Sequence, residues 1–458
     1  MIKMKIKDIL KVTNGEMLVG NEELTCENFS KDTRTIQKGD IYIGLKGENF
    51  DGNQFWKQAL ESGAEAVIVQ DVKISPIEME KYSNKTIVKV EDTLKALYEI
   101  AKYKRSLYDI PVVAITGSVG KTSTKDIVAS VVATKYKTLK TQGNNNNNIG
   151  LPLTILKLRD HEALVIEMGM NHFGEISLLT DIAKPTLAVI TNIGTSHIGN
   201  LGSRENILKA KLEILQGMRI PKVIVNNDND LLHNWYNENN KKIEIHTFGI
   251  ENDSEVMAED IKMQEESSEF TAIEDSKKVK INVPVGGKHF VYNALCAIAV
   301  GKMLDISTEQ IREGIESFEL TKKRMDIKKL ENGAIIINDA YNASYESMKV
   351  SLEFLAKHTG ERKIAVLGDM FELGKYTEEL HRKVGKEVAK NNIDILICAG
   401  ENAKYIIEEA QKNSKIKTYF MHNNEEIVEK LSQESKNGDV ILVKASNGMK
   451  FFEICQKL

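Results

Sequence analysis

The chain has 458 residues, too many for one ordinary core and enough for two to four domains. Apolar residues make up 41% and charged residues 28%, the balance of a soluble globular protein rather than a disordered or membrane one. Acidic and basic residues nearly cancel to a formal charge of -4, so composition forces no broad basic surface and nucleic acid is not a favoured partner.

The start, MIKMKIKDILKVTNGEM, alternates lysine with apolar residues and lacks the uninterrupted apolar stretch of a signal peptide. No run of about eighteen apolar residues predicts a transmembrane helix, so membrane insertion is not expected. Cys26, Cys296, Cys398 and Cys455 lie far apart without CxxC spacing, which argues against a disulfide framework or zinc site. A reducing, cytoplasmic location is expected.

To about residue 105 short strands (DIYIGL, AEAVIV, TIVKV) mix with helical stretches such as NQFWKQALESG. A polar segment, AKYKRSLYDIP, then leads into a strand. From there PVVAIT, ALVIEMG, LAVITNIG and KVIVNND are apolar runs separated by helical segments, the pattern of a parallel sheet flanked by helices. Residues 254 to 285 alternate polar and apolar, as in an antiparallel flap. After TKKRMDI a second alternation begins, with AIIINDA, KIAVLGD, DILICAG and VILVKAS as strands. It contains no G-x-G-x-x-G to suggest a dinucleotide. The NNNNN run at 144–148 reads as a polar loop.

The stretch GSVGKTSTK follows the run Val112-Val113-Ala114-Ile115. Only two residues separate its glycines, so it departs slightly from G-x-x-x-x-G-K-[ST], but the physics is unchanged. The loop Gly117, Ser118, Val119, Gly120 and the helix start at Lys121, Thr122 and Ser123 present backbone N–H groups to an anion. Lys121 reaches the outer phosphates, and the Thr122 hydroxyl suits Mg²⁺. Glu167 ends a buried-type strand, where a carboxylate faces the loop's metal; a solvated strand-end glutamate is the plainer alternative. His197 follows a later strand end on the same sheet edge. His172 sits in a loop and reads more readily as polar surface. Lys211 lies on an amphipathic helix, where a lysine is ordinarily solvated. No N-K-x-D guanine reader follows the loop, which disfavours a GTPase switch. A regulatory ATP-binding module remains an alternative to an enzyme.

Across nearly the whole length the sequence resembles the Mur ligase family. The likeness is carried by DTRTIQKGDIYIGLKGENFDG, ITGSVGKTSTK, GNNNNNIGLPLTIL, EMGMNHFGEI, NIGTSHIGN, KAKLEI, GKHFVYNALCAIAV, INDAYNASYESM and VLGDMFELG. The loop form G-S-x-G-K-T-x-T-K is similar to the branch that joins D-alanyl-D-alanine to UDP-N-acetylmuramoyl-tripeptide. The D-N-P-R type motif of the branch that adds diaminopimelate or lysine is absent. The resemblance implies an α/β chain of three domains. A small α/β N-terminal domain at 1–105 binds the UDP substrate. A central P-loop ATPase-like parallel sheet with helices at 106–320 binds ATP. A C-terminal Rossmann-like doubly wound domain at 321–458 binds the incoming amine.

By position, the resemblance implies ATP and Mg²⁺ as cofactors, with Lys121 and Thr122 on the phosphates and metal and with Glu167 and His197 helping hold the metal. Lys211 falls at the family's carbamylated lysine, a modification that turns a cation into an anion able to sit near Mg²⁺. Asn293 corresponds to a residue near the nucleotide. Arg324 and Asp339 complete the ATP site from the third domain, and Tyr341, Asn342 and Ser344 lie in that domain's signature loop. Asp32, Thr33, Arg34, Lys46 and Gly47 resemble uridine-nucleotide contacts, and Asn145, Asn146, Asn147 and Asn148 gain a role at the muramoyl-peptide or the phosphate. The enzyme is expected to be a monomer. Departures are Asn53 for histidine, Ser344-Tyr345 for Asn-Pro, Ala445 for Gly, Asn447 for Arg and Phe452 for Glu. They motivate an alternative with a different amine, an amino acid or depsipeptide. A non-catalytic ATP-binding partner protein is the further alternative.

Overall fold

The computed structural model describes residues 4–274, 277–320 and 325–458. The first sheet has five strands, β1 (Glu16–Val19), β2 (Phe29–Ser30), β3 (Ile41–Ile43), β4 (Ala66–Val69) and β5 (Thr86–Lys89), in the order β1-β5-β4-β3-β2. All pairs are parallel except β1 with β5. Helix α1 (Thr93–Ser106) follows, and the Asp92 carboxylate accepts from Leu94 N and Lys95 N to cap it.

The polar segment before the phosphate loop begins as helix. Residues 101–106 complete α1, and Lys104 and Arg105 are buried. Arg105 Nε donates to Ala183 O at 2.8 Å and Nη2 to Lys184 O at 3.4 Å, satisfying carbonyls at the end of another helix. Lys104 Nζ lies 5.5 Å from the centroid of the Tyr108 ring. The residues are polar because they join two layers, not because they meet water.

The central sheet has nine strands: β6 (Val112–Thr116), β7 (Thr138–Lys140), β8 (Ala163–Glu167), β9 (Leu187–Ile190), β10 (Lys222–Asn226), β11 (Glu244–Gly249), β12 (Val256–Met263), β13 (Ser268–Glu274) and β14 (Lys277–Val283). Their order is β14-β13-β12-β11-β10-β9-β6-β8-β7. From β7 to β12 every pairing is parallel, and the fully buried Val, Ile, Leu and Ala of β6, β8 and β9 explain the unbroken apolar runs. The expected flap is β12-β13-β14, two antiparallel pairings that extend this sheet at its edge. Helices α2 (Lys121–Ala133), α3 (Glu175–Ala183), α4 (Arg204–Leu212) and α5 (Lys288–Met303) accompany it.

The third sheet is β15 (Asp326–Lys329), β16 (Ile335–Asn338), β17 (Arg362–Gly368), β18 (Ile395–Ala399), β19 (Lys417–Met421) and β20 (Asp439–Lys444), ordered β15-β16-β20-β17-β18-β19. It is parallel apart from the antiparallel edge strand β15. Helix α6 (Tyr345–Lys357) leaves β16, and α7 (Thr377–Lys390) leaves β17. No helix among the described residues is long and apolar enough to cross a membrane.

Candidate active site

A cavity of about 890 Å³ lies where the C-terminal strand ends of the central sheet meet the third sheet and α6. Open α/β sheets collect ligands at this end of their strands. The phosphate loop forms its floor. Gly117 approaches the strand β9 side so closely that a Cβ there would lie 1.9 Å from Thr191 Oγ1, so only glycine passes. Asn192 fixes the loop from beneath: Ser118 N donates to its carbonyl at 3.0 Å and Val119 N to its Oδ1 at 3.0 Å. The turn then enters α2, whose N-terminal end carries partial positive charge towards the cavity. Lys121 Nζ folds over the loop, donating to Gly117 O at 2.9 Å and Ser118 O at 3.4 Å.

Glu167, at the end of β8, is buried. Thr122 Oγ1 donates to its Oε2 at 2.8 Å and Asn146 Nδ2 to its Oε1 at 2.7 Å. These are neutral donors, and no Lys, Arg or His forms an ion pair with Glu167 among the described residues. A buried carboxylate beside a threonine hydroxyl, without a cation, suits a hard divalent ion. Among the described residues no cluster of three or more His, Cys, Asp or Glu side chains could hold a metal alone. An ion such as Mg²⁺ takes few protein ligands and completes its shell with phosphate and water.

Lys211, on α4, is buried and carries no ion pair among the described residues. Burial, together with the nearby charge of Lys121, holds its ammonium well below the ordinary lysine value. It is therefore no solvated surface lysine. His197 lines the cavity in a left-handed conformation, φ 64°, and its Nδ1 pairs with Glu372 of the third sheet's layer. His172 pairs weakly with Glu175 at 3.4 Å and does not line the cavity.

Asn293, on α5, accepts from Thr124 Oγ1 at 2.9 Å, while its buried Nδ2 has no partner. An unsatisfied buried amide on the cavity wall is the mark of a ligand donor. The asparagine run divides. Asn146 and Asn147 line the cavity; Asn147 Oδ1 also accepts from Gly150 N at 2.8 Å, starting a short helix. Asn148 Nδ2 instead donates to Tyr98 OH at 3.0 Å on α1, and Asn145 closes a turn onto Gln142 O.

From the third sheet come Asp339, Tyr341, Asn342 and Ser344. Asp339 is ion-paired to the buried Lys444 and accepts from Ser351 Oγ at 2.7 Å. Ser344 caps α6. Arg324 lies outside the described residues. Asp32, Thr33, Arg34, Lys46 and Gly47 do not reach this cavity. Arg34 clasps Asp32 through 2.9 and 2.6 Å bonds and holds its carboxyl down at about 2. Lys46 pairs with Asp71 at 3.3 Å. Among the departures, Asn53 Oδ1 accepts from Gln70 N at 2.9 Å, and Tyr345 OH donates to Glu387 Oε1 at 3.1 Å. Both are engaged in packing within their own layers.

Sequence reasoning missed Lys444, His289, Asn192 and Glu372. Lys444 ends strand β20, the same position rule that singled out Glu167, so it was within reach. His289 carries a buried Nδ1 without a partner, and burial pushes its imidazole down to about 4, so it stays neutral. Nothing in the sequence around it separates it from an ordinary helix-start histidine.

Three family models match along the chain: the Mur ligase family catalytic domain at 27–105, the Mur ligase middle domain at 115–301, and the Mur ligase glutamate ligase domain at 323–447. A UDP-N-acetylmuramoyl-tripeptide--D-alanyl-D-alanine ligase from Bacillus subtilis is 38% identical over 465 aligned residues, covering 100% of this chain and 99% of the relative. A crystal structure of MurF from Acinetobacter baumannii superposes with a TM-score of 0.88 at 28% identity, covering 100% and 99% of the two chains. MurF ligase from Thermotoga maritima, in complex with ADP, gives a TM-score of 0.81 at 28% identity over 94% and 96%. Family models, full-length relatives and superposed structures agree from end to end, and the chain belongs to the Mur ligase family.

Proposed function

We propose that this chain is an ATP-dependent ligase that joins D-alanyl-D-alanine to the terminal carboxylate of UDP-N-acetylmuramoyl-tripeptide in peptidoglycan precursor synthesis. The observation that carries the reading is the Thr122–Glu167–Asn146 cluster directly behind a buttressed phosphate loop, in a relative of ligases of that name. The first sheet, 1–105, holds the UDP substrate; residues 106–320 bind ATP; residues 321–458 receive the amine.

In such a ligase the peptide carboxylate attacks the γ-phosphorus of ATP, ADP leaves, and an acyl phosphate forms. The dipeptide amine then attacks the acyl carbon, and the tetrahedral species expels phosphate and a proton, leaving an amide. Both partners of the first step are anions. Unit charges about 4 Å apart repel by roughly 4 kcal/mol at an effective dielectric near 20, worth about a thousandfold in rate. Lys121 and the α2 N-terminus offset that repulsion, and Arg324 contributes to the offset from the third domain. Thr122 and Glu167, with His197, would hold Mg²⁺, which supplies further charge neutralisation at the phosphates. Burial favours the neutral Lys211 amine, the form that adds CO₂ at nitrogen and loses a proton to give the carbamate anion its place in the family implies. Asn293 Nδ2 and the Asp339–Lys444 pair border the nucleotide. Enclosure between two sheets keeps water from the activated acid.

The test is an isotope experiment: with heavy oxygen in the tripeptide's terminal carboxylate, labelled inorganic phosphate is expected, released only when the dipeptide is present. Unlabelled phosphate, or equal release without the dipeptide, defeats the reading. A panel of amines against one UDP substrate decides the acceptor.

A further inference from the structure

Helix α6 forms one wall of the cavity and belongs to the third sheet, yet it is gripped by the central layer at both ends. At its start, Glu346 sits in the first turn, where a carboxylate ordinarily serves its own helix. That task is already taken: Ser344 caps α6, accepting from Ser347 N. Glu346 turns outward instead. Its Oε1 accepts from Thr195 N at 2.8 Å and its Oε2 from Thr195 Oγ1 at 3.0 Å. The seat is shaped for it, because a Cβ on Gly194 would lie 2.6 Å from Glu346 Cδ.

The loop that Glu346 grips is the one that braces the phosphate loop. Gly194 N donates to Ser118 Oγ at 2.8 Å, and Ser196 Oγ donates to Ser118 O at 3.3 Å. An unbroken chain of bonds therefore runs from α6 through Thr195 and Gly194 to Ser118. Two further contacts seat the same face: Gly199 N donates to Glu372 O at 2.9 Å, and Tyr376 OH to Gly202 O at 2.8 Å. At the far end of α6, Thr359 N donates to Glu265, which sits in the turn between β12 and β13.

We infer that Glu346 is a positioning residue: its carboxylate couples docking of the third sheet to bracing of the phosphate loop, so that seating α6 completes the support of the loop on its Ser118 side. It does not touch the reacting atoms. Glu265 holds the opposite end of the same helix and sets its tilt over the cavity.

The inference rests on the ligase reading only for its kinetic arm. The four native cysteines are buried, so Lys241→Cys and Gln433→Cys accept a fluorophore pair across the two layers. With no acceptor or peptide present, Glu346→Ala is expected to broaden and lengthen the distance between the labels. In steady state it is expected to cut kcat/KM for ATP by about tenfold or more, the loss of a charged hydrogen-bond acceptor. Affinity for the UDP substrate should not change. Glu346→Gln still accepts from Thr195 N and should stay within about twofold of wild type on both readouts, because one neutral hydrogen bond replaces a charged one. If Glu346→Ala does not fold, Thr195→Val removes only the hydroxyl donor and should shift both readouts in the same direction by less. Unchanged distance and unchanged kcat/KM for ATP in Glu346→Ala, or in Thr195→Val where it stands in, overturn the inference. So does a Glu346→Gln variant as impaired as Glu346→Ala.

Discussion

The phosphate loop and the Asp32–Arg34 turn are both short polar loops at the C-terminal ends of parallel strands, yet they are built in opposite ways. The first is held from below by Asn192, from the side by Gly194 and Thr191, and is mostly buried. Its binding groups are fixed before any ligand arrives. The second is exposed, and its charges neutralise each other: Arg34, 85% exposed at the side chain, is satisfied by a residue two positions away. A ligand there must exchange an internal ion pair for its own contacts. Preorganisation of the first kind suits chemistry, and the second kind suits recognition that rearranges on binding.

The comparison is broken most severely at Lys121. Lys121→Ala is expected to lower phosphate release by about a thousandfold while the thermal unfolding midpoint stays near wild type, since one preorganised charge is lost at the transition state. A loss of only a few-fold, read by a coupled phosphate assay, would place the rate elsewhere. Next comes Glu167. Glu167→Ala strips Thr122 and Asn146 of their shared acceptor, and a drop of about a hundredfold with a raised Mg²⁺ requirement is expected from titrating the metal in the same assay.

A smaller effect tests the seam between the two regions. Burial pushes Lys104 from 10.5 down to about 8. Between those values the unfolded chain holds the proton and the folded chain does not, so this group makes stability rise with pH across that window. Below about 8 both states are charged and the folded state bears the whole cost of burying the ammonium. Lys104→Met should stabilise by about 2 kcal/mol below pH 8, after the lost contact with the Tyr108 ring, and the gain should fade towards pH 10.5. Denaturant melts across the pH range measure it, and a pH-independent difference would contradict it. The smallest effect is at the exposed turn. Arg34→Ala should leave the melt unchanged, because exposed pairs add little, and weaken UDP-substrate binding by about tenfold in calorimetry. Full affinity in that variant would remove the turn from the substrate site.

Much of this molecule was legible in one dimension. The apolar runs marked β6, β8, β9 and β10 because strands buried on both faces need no alternation. The glycine spacing, Lys121, Thr122 and Glu167 were readable because a single strand–loop–helix unit and its neighbouring strand end carry them. The segment 101–106 reads in sequence only as polar, because a buried lysine and arginine look the same there as solvated ones. The asparagine run could not be divided, since nothing local tells Asn146, which supports Glu167, from Asn148, which reaches α1.

By itself the sequence determined the three alternating patterns, the phosphate loop and the strand-end carboxylate, because each arises from contacts between residues close along the chain. Tertiary structure alone decided that Lys211 is buried beside Lys121, that His197 pairs with Glu372, that Lys444 holds Asp339, and that Glu346 turns away from its own helix. Those outcomes depend on which layers meet. A side chain's charge state and partner are set by the groups that folding brings within a few ångströms, and sequence spacing does not encode that distance.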